Sequence, residues 1–458
     1  MNQSYKQAYF IGIGGIGMSA ICRYLLEQGI KVFGYDRTQT TLTIELENLG
    51  VQITYDDSVD AIPADVTNNI ENTLFIYTPA IPKNHPQWVW LNRENVPLHK
   101  RSQILGFLTQ GKICLAVAGT HGKTTTSTLL AHLLKTCNVN FSAFLGGIST
   151  NYQSNYISNF NGIQLFDREI VIVEADEFDR SFHQLKPDAA IITAIDADHL
   201  DIYGDSDSFQ KAFEIFADLI NSEIIGDLYL EQTVKLEVSE HVKMNRYGSG
   251  PNIEFSFDQI RIEDHQFVFD LKGEKFICGL PGHHNVSNAT AAIALCLNSL
   301  KLPIQKLAEG ILSFQGVKRR FEYVKNTHNQ IIIDDYAHHP EEIQAIIKSV
   351  RTLYPEKKLT GIFQPHLFSR TRDFAEGFAK SLSEVDELIL MEIYPAREKP
   401  IEGIDSNWLL EKVKIDQKAL MEPQQILDKI NNESPELILI MGAGDIDRLS
   451  KQLKQNEG

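Results

Sequence analysis

Short apolar runs alternate along this chain with longer stretches whose apolar positions recur at helical spacing. The runs at Ala8–Gly12, Lys31–Tyr35 and Leu74–Tyr77 read as strands, with a helix from Met18 to Gln28 between the first two. A second block begins near Lys112, with strands at Ile113–Ala118, Ile170–Glu174 and Ala189–Ile195 and a helix through Ser127–Leu134. A third follows Arg319-Arg320-Phe321, with strands at Ile331–Asp334, Leu359–Phe363, Glu387–Ile393 and Glu436–Met441. Continuous apolar strands separated by helices predict parallel sheets covered on both faces. The segment from Glu223 to Lys275 is more polar and alternates, as in Phe267-Val-Phe-Asp-Leu271. It predicts an antiparallel insertion or edge, to which we assign no chemistry. Pro281-Gly-His-His-Asn285 opens an Ala-rich helix over Val286–Leu297.

The expectation is therefore an α/β chain of three domains, at 1–108, 109–322 and 323–458. Its length of 458 residues agrees, at roughly 150 residues per domain. A formal net charge of −17 argues against a general nucleic-acid or anionic-membrane surface, so an anionic substrate must be met by local basic groups. No apolar run is long enough to span a bilayer, and the polar start does not read as a signal peptide. The five cysteines are odd in number and form no CxxC, as expected of reduced thiols in a cytoplasmic protein.

The ends of the strands carry the chemistry. Gly119-Thr120-His121-Gly122-Lys123-Thr124-Thr125-Thr126 joins a buried strand to a helix. Backbone N–H groups of such a turn cradle phosphate oxygens, the Lys neutralises the terminal phosphates and the hydroxyl ligates Mg²⁺. The loop is short, because only Thr120 and His121 separate its glycines where the usual pattern has four residues. Glu174-Ala-Asp176-Glu177 and Asp198-His199-Leu-Asp201 end the next two strands of that block. Ligands of open α/β sheets bind beyond the carboxyl ends of strands, so these groups are candidates for a metal–triphosphate site. Gly12, Gly14 and Gly17, with Gly15 between them, fit the dinucleotide turn, and Asp36 ends the following strand. Alone, this signal is weak, because an ordinary tight βα turn can carry the same glycines. In the third block Asp334-Asp335-Tyr336-Ala-His338-His339-Pro340 and Phe363-Gln-Pro-His366-Leu-Phe-Ser-Arg370-Thr371 end strands, and Gly442-Ala-Gly444-Asp445 follows the last.

Eight motifs in order across nearly the whole chain resemble the Mur ligase superfamily, the ATP-dependent amide ligases of peptidoglycan precursor synthesis. They are Gly12–Met18, Gly119–Thr126, Glu174–Glu177, Asp198–Asp201, His284–Ala289, Arg319–Phe321, Asp334–Pro340 and Phe363–Thr371. The short loop fits this superfamily's own version. The resemblance implies a Rossmann-like N-terminal domain that binds UDP-sugar through Gly12, Gly14, Gly15, Gly17, Asp36 and Thr78. It implies a central ATP domain with Gly119, Thr120, His121, Gly122, Lys123, Thr124 and Thr125 on the phosphates and Asn285 and Asn288 near the base. Mg²⁺ would be held by Thr124, Glu174 and His199. Arg320 and Asp335 would contact ATP, and Tyr336, His338 and Arg370 would line the amino-acid pocket of a Rossmann-like C-terminal domain. Lys123, His199, Arg320 and His338 are the implied catalytic residues.

The match is strongest to the alanine-adding members. These join L-alanine to the lactyl carboxylate of UDP-N-acetylmuramate through an acyl phosphate, and the chain is expected as a monomer or dimer. Tripeptide-recycling members, and in another class a dehydrogenase fused to a nucleotide-switch ATPase, are the alternatives. Two departures stand out. Leu367 occupies a position where alanine-adding members commonly have Arg. Sister ligases carbamylate a Lys about fifteen residues after the His of the Asp-His motif, a count that lands here on Glu214, so no modified Lys is expected.

Overall fold

A computed structural model describes residues 5–196, 203, 205–396 and 398–455. The apolar runs form three sheets among these residues. The first has the order β3-β2-β1-β4-β5, from β1 (Gln7–Ile11), β2 (Lys31–Tyr35), β3 (Gln52–Thr54), β4 (Thr73–Tyr77) and β5 (Leu98–Lys100). All its pairs are parallel, and the strand order reverses between β1 and β4. Register places Ile11 opposite both Tyr35 and Tyr77, so three strands end flush. The residues that follow them, Gly12, Asp36 and Thr78, therefore emerge together at the point of reversal, the usual ligand crevice of such sheets.

The second sheet comprises β6 (Ile113–Ala118), β7 (Phe141–Ser149), β8 (Ser154–Ser158), β9 (Ile170–Glu174), β10 (Ala189–Ile192), β11 (Asp227–Glu231), β12 (Lys243–Gly248), β13 (Phe255–Glu263), β14 (Gln266–Leu271) and β15 (Glu274–Cys278). Their order is β15-β14-β13-β12-β11-β10-β6-β9-β7-β8. Every residue of β6 is buried, as its unbroken apolar sequence requires. Val117 lies opposite Glu174, and Ala118 opposite Ile192, so Gly119, Ala175 and Thr193 again leave the sheet side by side.

The alternating segment 223–275 is only partly antiparallel. Strands β11 and β12 continue the parallel sheet from β10. The hairpin character starts after β13: Asp264-His265 joins β13 to β14 and Lys272-Gly273 joins β14 to β15, each with the positive φ angles of tight hairpins.

The third sheet has the order β16-β17-β21-β18-β19-β20, from β16 (Glu322–Asn326), β17 (Ile331–Asp335), β18 (Leu359–Phe363), β19 (Glu387–Leu390), β20 (Lys418–Leu420) and β21 (Leu437–Met441). Only β16 runs antiparallel to its neighbour. Asp335, Met441 and Phe363 share one level, so Tyr336, Gly442 and Gln364 follow from adjacent strand ends.

The chain forms two compact units. One holds Met1–Asp258, Asp270–Phe276 and Ser287–Phe314; the other holds Gln259–Phe269, Ile277–Val286 and Gln315–Gly458. Within the first unit the two sheets share one apolar core. Ile21, Leu25 and Ile104 pack in the same cluster as Phe144, Tyr156 and Phe182.

Candidate active site

The helix Lys123–Thr136 starts with Thr124-Thr-Thr-Ser-Thr128, a run that propensity alone would not make helical. Burial decides the matter, since Thr125 through Leu134 are all buried. Gly122 caps this helix at φ 79° with no side-chain hydrogen bond, leaving first-turn N–H groups directed at the loop. Both loop glycines are required by space as well as by backbone. A Cβ on Gly119 (φ +130°) would stand 2.2 Å from Thr193 Oγ1 and 2.9 Å from the Ala194 nitrogen. One on Gly122 would stand 2.6 Å from Asn288 Oδ1, which brings Asn288 to the loop. The loop is tied to the end of β10. Thr120 N donates to Ala194 O at 3.0 Å, Asp196 N donates to Thr120 Oγ1 at 3.2 Å, and Thr193 Oγ1 donates to His121 O. His121 is exposed, with Nε2 3.8 Å from Asp196 Oδ2.

Lys123 turns back over this loop. Its Nζ donates to Gly119 O at 2.6 Å and lies 2.8 Å from the carboxylate of Glu177, whose side chain is 3% exposed. Thr124 Oγ1 donates to Glu174 Oε1 at 3.0 Å, and Gly146 N donates to Glu174 Oε2 at 2.9 Å. Burial raises the Glu174 pKa, opposed by the charge of Lys123 and by both hydrogen bonds. A hydroxyl and a carboxylate held together at a strand end form a hard oxygen set that fits Mg²⁺, completed by phosphate oxygens and water. Among the described residues no group of three or more His, Cys, Asp or Glu side chains makes an all-protein metal cage. His199, with the rest of Asp198–Asp201, lies outside the described residues.

The glycine turn of the first sheet is similarly constrained. Gly12 has φ +87°, and a Cβ there would meet Thr78 Cγ2 at 2.5 Å. Gly14 N donates to Asp36 Oδ2 at 2.7 Å, and Arg37 N donates to Asp36 Oδ1 at 2.8 Å. Gly15 caps the helix Ile16–Glu27 without a side-chain bond, so this is a second helix N-terminus suited to an anion. Gly12, Gly14, Gly15, Gly17, Asp36 and Thr78 thus form one group.

In the other unit, Asp335 accepts from Phe321 N at 2.7 Å and Ala337 N at 2.8 Å, with the Arg320 charge nearby. Burial raises its pKa against those three influences. The Tyr336 ring is flanked by Arg319 and Arg320 guanidinium carbons at 5.2 and 5.4 Å. His338 packs edge-on against Tyr336 at 5.2 Å and lies 6.3 Å from the His366 ring. Burial lowers the His338 pKa below 6.5, and it lowers that of His366 to about 4; the Arg370 charge acts in the same direction on both. Arg320, Asp335, Tyr336, His338 and Arg370 are therefore gathered together. Asn285 belongs to this unit, and its Nδ2 donates to Pro281 O at 2.7 Å.

Sequence reasoning gave Glu177 no role beyond membership of its acidic run, and none to Thr193 and Gly146. Glu177 was visible within its acidic motif. The other two act through a hydroxyl and a backbone N–H brought in by neighbouring strands, for which the chain carries no local signal.

Comparison with known proteins covers almost the whole length. Residues 7–112 match the Mur ligase family catalytic domain, 117–296 the Mur ligase middle domain and 319–444 the Mur ligase glutamate ligase domain. The UDP-N-acetylmuramate–L-alanine ligase of Christiangramia forsetii is 47% identical over 98% of this chain and 97% of its own. Among solved structures, UDP-N-acetylmuramate-alanine ligase MurC of Thermotoga maritima superposes with a TM-score of 0.81 at 28% identity, covering 98% of this chain and 99% of that one. A murein peptide ligase of Psychrobacter arcticus shares the fold, with a TM-score of 0.67 at 20% identity over 98% of each chain.

Proposed function

The chain belongs to the Mur ligase family, and on that premise we propose that it joins L-alanine to the lactyl carboxylate of UDP-N-acetylmuramate at the expense of ATP. The observation that carries the ATP half is the loop itself. An uncapped helix N-terminus, the Lys123 ammonium and the Thr124–Glu174 oxygen pair converge at one strand end. The acceptor half rests on the similarity to alanine-adding ligases over nearly the full length. The working division is a sugar-nucleotide domain at 1–108, an ATP domain at 109–322 and an amino-acid domain at 323–458, acting in the cytoplasm.

In this reading the substrate's diphosphate lies on the Gly12–Gly17 turn, with Asp36 at the uridine ribose. ATP lies on Gly119–Thr125, and Lys123 exchanges Glu177 for the terminal phosphates. Thr124 and Glu174, with His199, would hold Mg²⁺, which would supply charge neutralisation on the phosphoryl oxygens. The lactyl carboxylate attacks the γ-phosphorus in line, giving an acyl phosphate and ADP; such a transfer is governed by positioning and charge more than by acid–base chemistry. The L-alanine amine then displaces phosphate through a tetrahedral intermediate. That step needs a free amine, and His338, kept neutral by burial, is suited to accept its proton. Arg320 and Asp335 contact ATP, while Tyr336 and Arg370 border the amino acid.

Phosphate release with ATP, Mg²⁺ and UDP-N-acetylmuramate, measured across a panel of amino acids and the murein tripeptide, tests the proposal. The expected result is release that requires the sugar nucleotide and is fastest with L-alanine. Release without the sugar nucleotide, or only with the tripeptide, refutes it.

A further inference from the structure

The helix Arg101–Thr109 begins with a basic residue that the reading above leaves unused. Arg101 extends along Gly17. A Cβ built on Gly17 would stand 2.9 Å from Arg101 Cδ and 3.0 Å from its Nη1. The other terminal nitrogen, Nη2, lies 3.3 Å from Asp176 Oδ2. One guanidinium therefore spans the glycine turn of the first sheet and the acidic run Glu174–Glu177 at the end of β9. Its surroundings are fixed. Asn155 Nδ2, from β8, donates to Ile16 O and to Ser19 Oγ in the helix that the turn opens. Gly106, one turn along the Arg101 helix, lies so close to Gln184 that a Cβ would meet its carbonyl oxygen at 2.6 Å. The Arg101–Asp176 pair itself is looser, with side chains 23% and 39% exposed. Pairs this accessible contribute little net stability, so Arg101 exchanges partners at small cost.

We infer that Arg101 binds the diphosphate of the sugar nucleotide, and that Asp176 holds the guanidinium beside the glycine turn until the substrate takes it. The inference rests on the assignment of Gly12–Gly17 to that diphosphate. A planar guanidinium next to a helix N-terminus offers paired donors in the geometry phosphate oxygens accept. Asp176 keeps the long side chain from dispersing into solvent, which lowers the ordering cost at binding. Gly17 is glycine because Arg101 fills the space its side chain would occupy.

Calorimetric titration of the full chain with UDP-N-acetylmuramate, UDP and UMP tests this, using Arg101→Ala, Arg101→Lys and Asp176→Asn. Loss of hydrogen bonds to a charged group predicts Kd for UDP-N-acetylmuramate raised about 10- to 100-fold in Arg101→Ala. The advantage of UDP over UMP shrinks in parallel, Kd for ATP alone stays within about twofold of wild type, and Arg101→Lys recovers part of the loss. Asp176→Asn keeps wild-type sugar-nucleotide affinity or tightens it. A merely structural ion pair predicts equal losses from both partners, so equal losses overturn the inference, as does an unchanged Kd in Arg101→Ala. If wild-type protein binds neither UDP-N-acetylmuramate nor UDP, the diphosphate site itself is refuted and the inference falls with it.

Discussion

Removing the Lys123 ammonium should destabilise the protein as well as stop its chemistry. Nζ lies 2.8 Å from Glu177, whose side chain is 3% exposed while that of Lys123 is 15% exposed. Tyr203 OH closes over the same segment, donating to Glu177 O at 2.5 Å. In Lys123→Ala the Glu177 carboxylate stays buried without its cation. Breaking a buried pair from one side costs about 3–5 kcal/mol, chiefly through the charge left behind. The unit holding both sheets should then melt about 6–20 °C lower, at roughly 2–4 °C per kcal/mol for a domain of this class. Replacing the stranded carboxylate by an amide removes the charge, so Lys123→Ala/Glu177→Gln should recover most of the lost midpoint. It should recover none of the ATP-dependent phosphate release. Differential scanning calorimetry of the two variants and Glu177→Gln, beside single-turnover phosphate release, separates the effects. A Lys123→Ala midpoint equal to wild type, or a double variant no more stable than Lys123→Ala, refutes the buried-pair argument. Near-normal ligation by Lys123→Ala refutes the site.

Three further outcomes follow from local geometry. Gly119→Ala should cost at least about 2 kcal/mol and abolish ATP binding, because its Cβ meets both a side chain and the rigid Ala194 backbone at a φ of +130°; chemical denaturation and ATP titration check both parts. Leu367 has φ 72° and ψ 136°, a conformation costly for any residue with a Cβ. Leu367→Gly should therefore be more stable than Leu367→Ala by about 1 kcal/mol, reversing the usual order, and equal denaturation midpoints would contradict this. His132 is buried between Tyr152 OH (2.7 Å) and Ser313 Oγ (3.0 Å), and burial lowers its pKa to about 4 from 6.5. Between those values the unfolded chain takes up a proton that the folded one refuses, so stability falls as pH drops from 6.5 towards 4. The loss from this residue is at most about 3 kcal/mol, and His132→Gln should flatten that part of the stability–pH curve.

The strand ends were legible in the sequence because their signal is local. A buried apolar run followed by Gly, Lys or Asp at once identifies a strand, its direction and the groups presented at its tip. Long-range partners carry no such signal. Arg101 and Asp176 are 75 positions apart, and Gly146 and Glu174 are 28 apart, yet both pairs meet in the fold. The polar segment after Glu223 misled for another reason. Asp227 starts β11 but is buried, accepting from Ser299 Oγ at 2.7 Å and from Asn245 Nδ2 at 3.2 Å. A buried polar network reads as a solvated edge when only residue types are counted. Alternation also cannot distinguish a parallel strand from an antiparallel one, and β11 and β12 are parallel strands inside the sheet, with β13, β14 and β15 beyond them.

Register explains why so few motifs describe so much of the site. In the first and third sheets the central strands end at one level, Ile11 with Tyr35 and Tyr77, and Asp335 with Met441 and Phe363; in the second, Ala118 ends level with Ile192 and Glu174 one residue earlier, opposite Val117. A single residue after each end is then beside the residue after the next, whatever their separation in sequence. A one-residue slip in a parallel pair would move an end by about 3.3 Å and turn its side chains to the other face. At β9 such a slip would take Glu174 from Thr124 and leave the metal position without its carboxylate. The apolar residues of these strands thus do more than form a core: by fixing register they set the distances between Gly12, Asp36 and Thr78, and between Gly119, Thr124 and Glu174. Substitutions that preserve hydrophobicity inside β6 or β9 should accordingly be tolerated by the fold, whereas insertion of one residue in either strand should eliminate nucleotide binding even if the unit still folds.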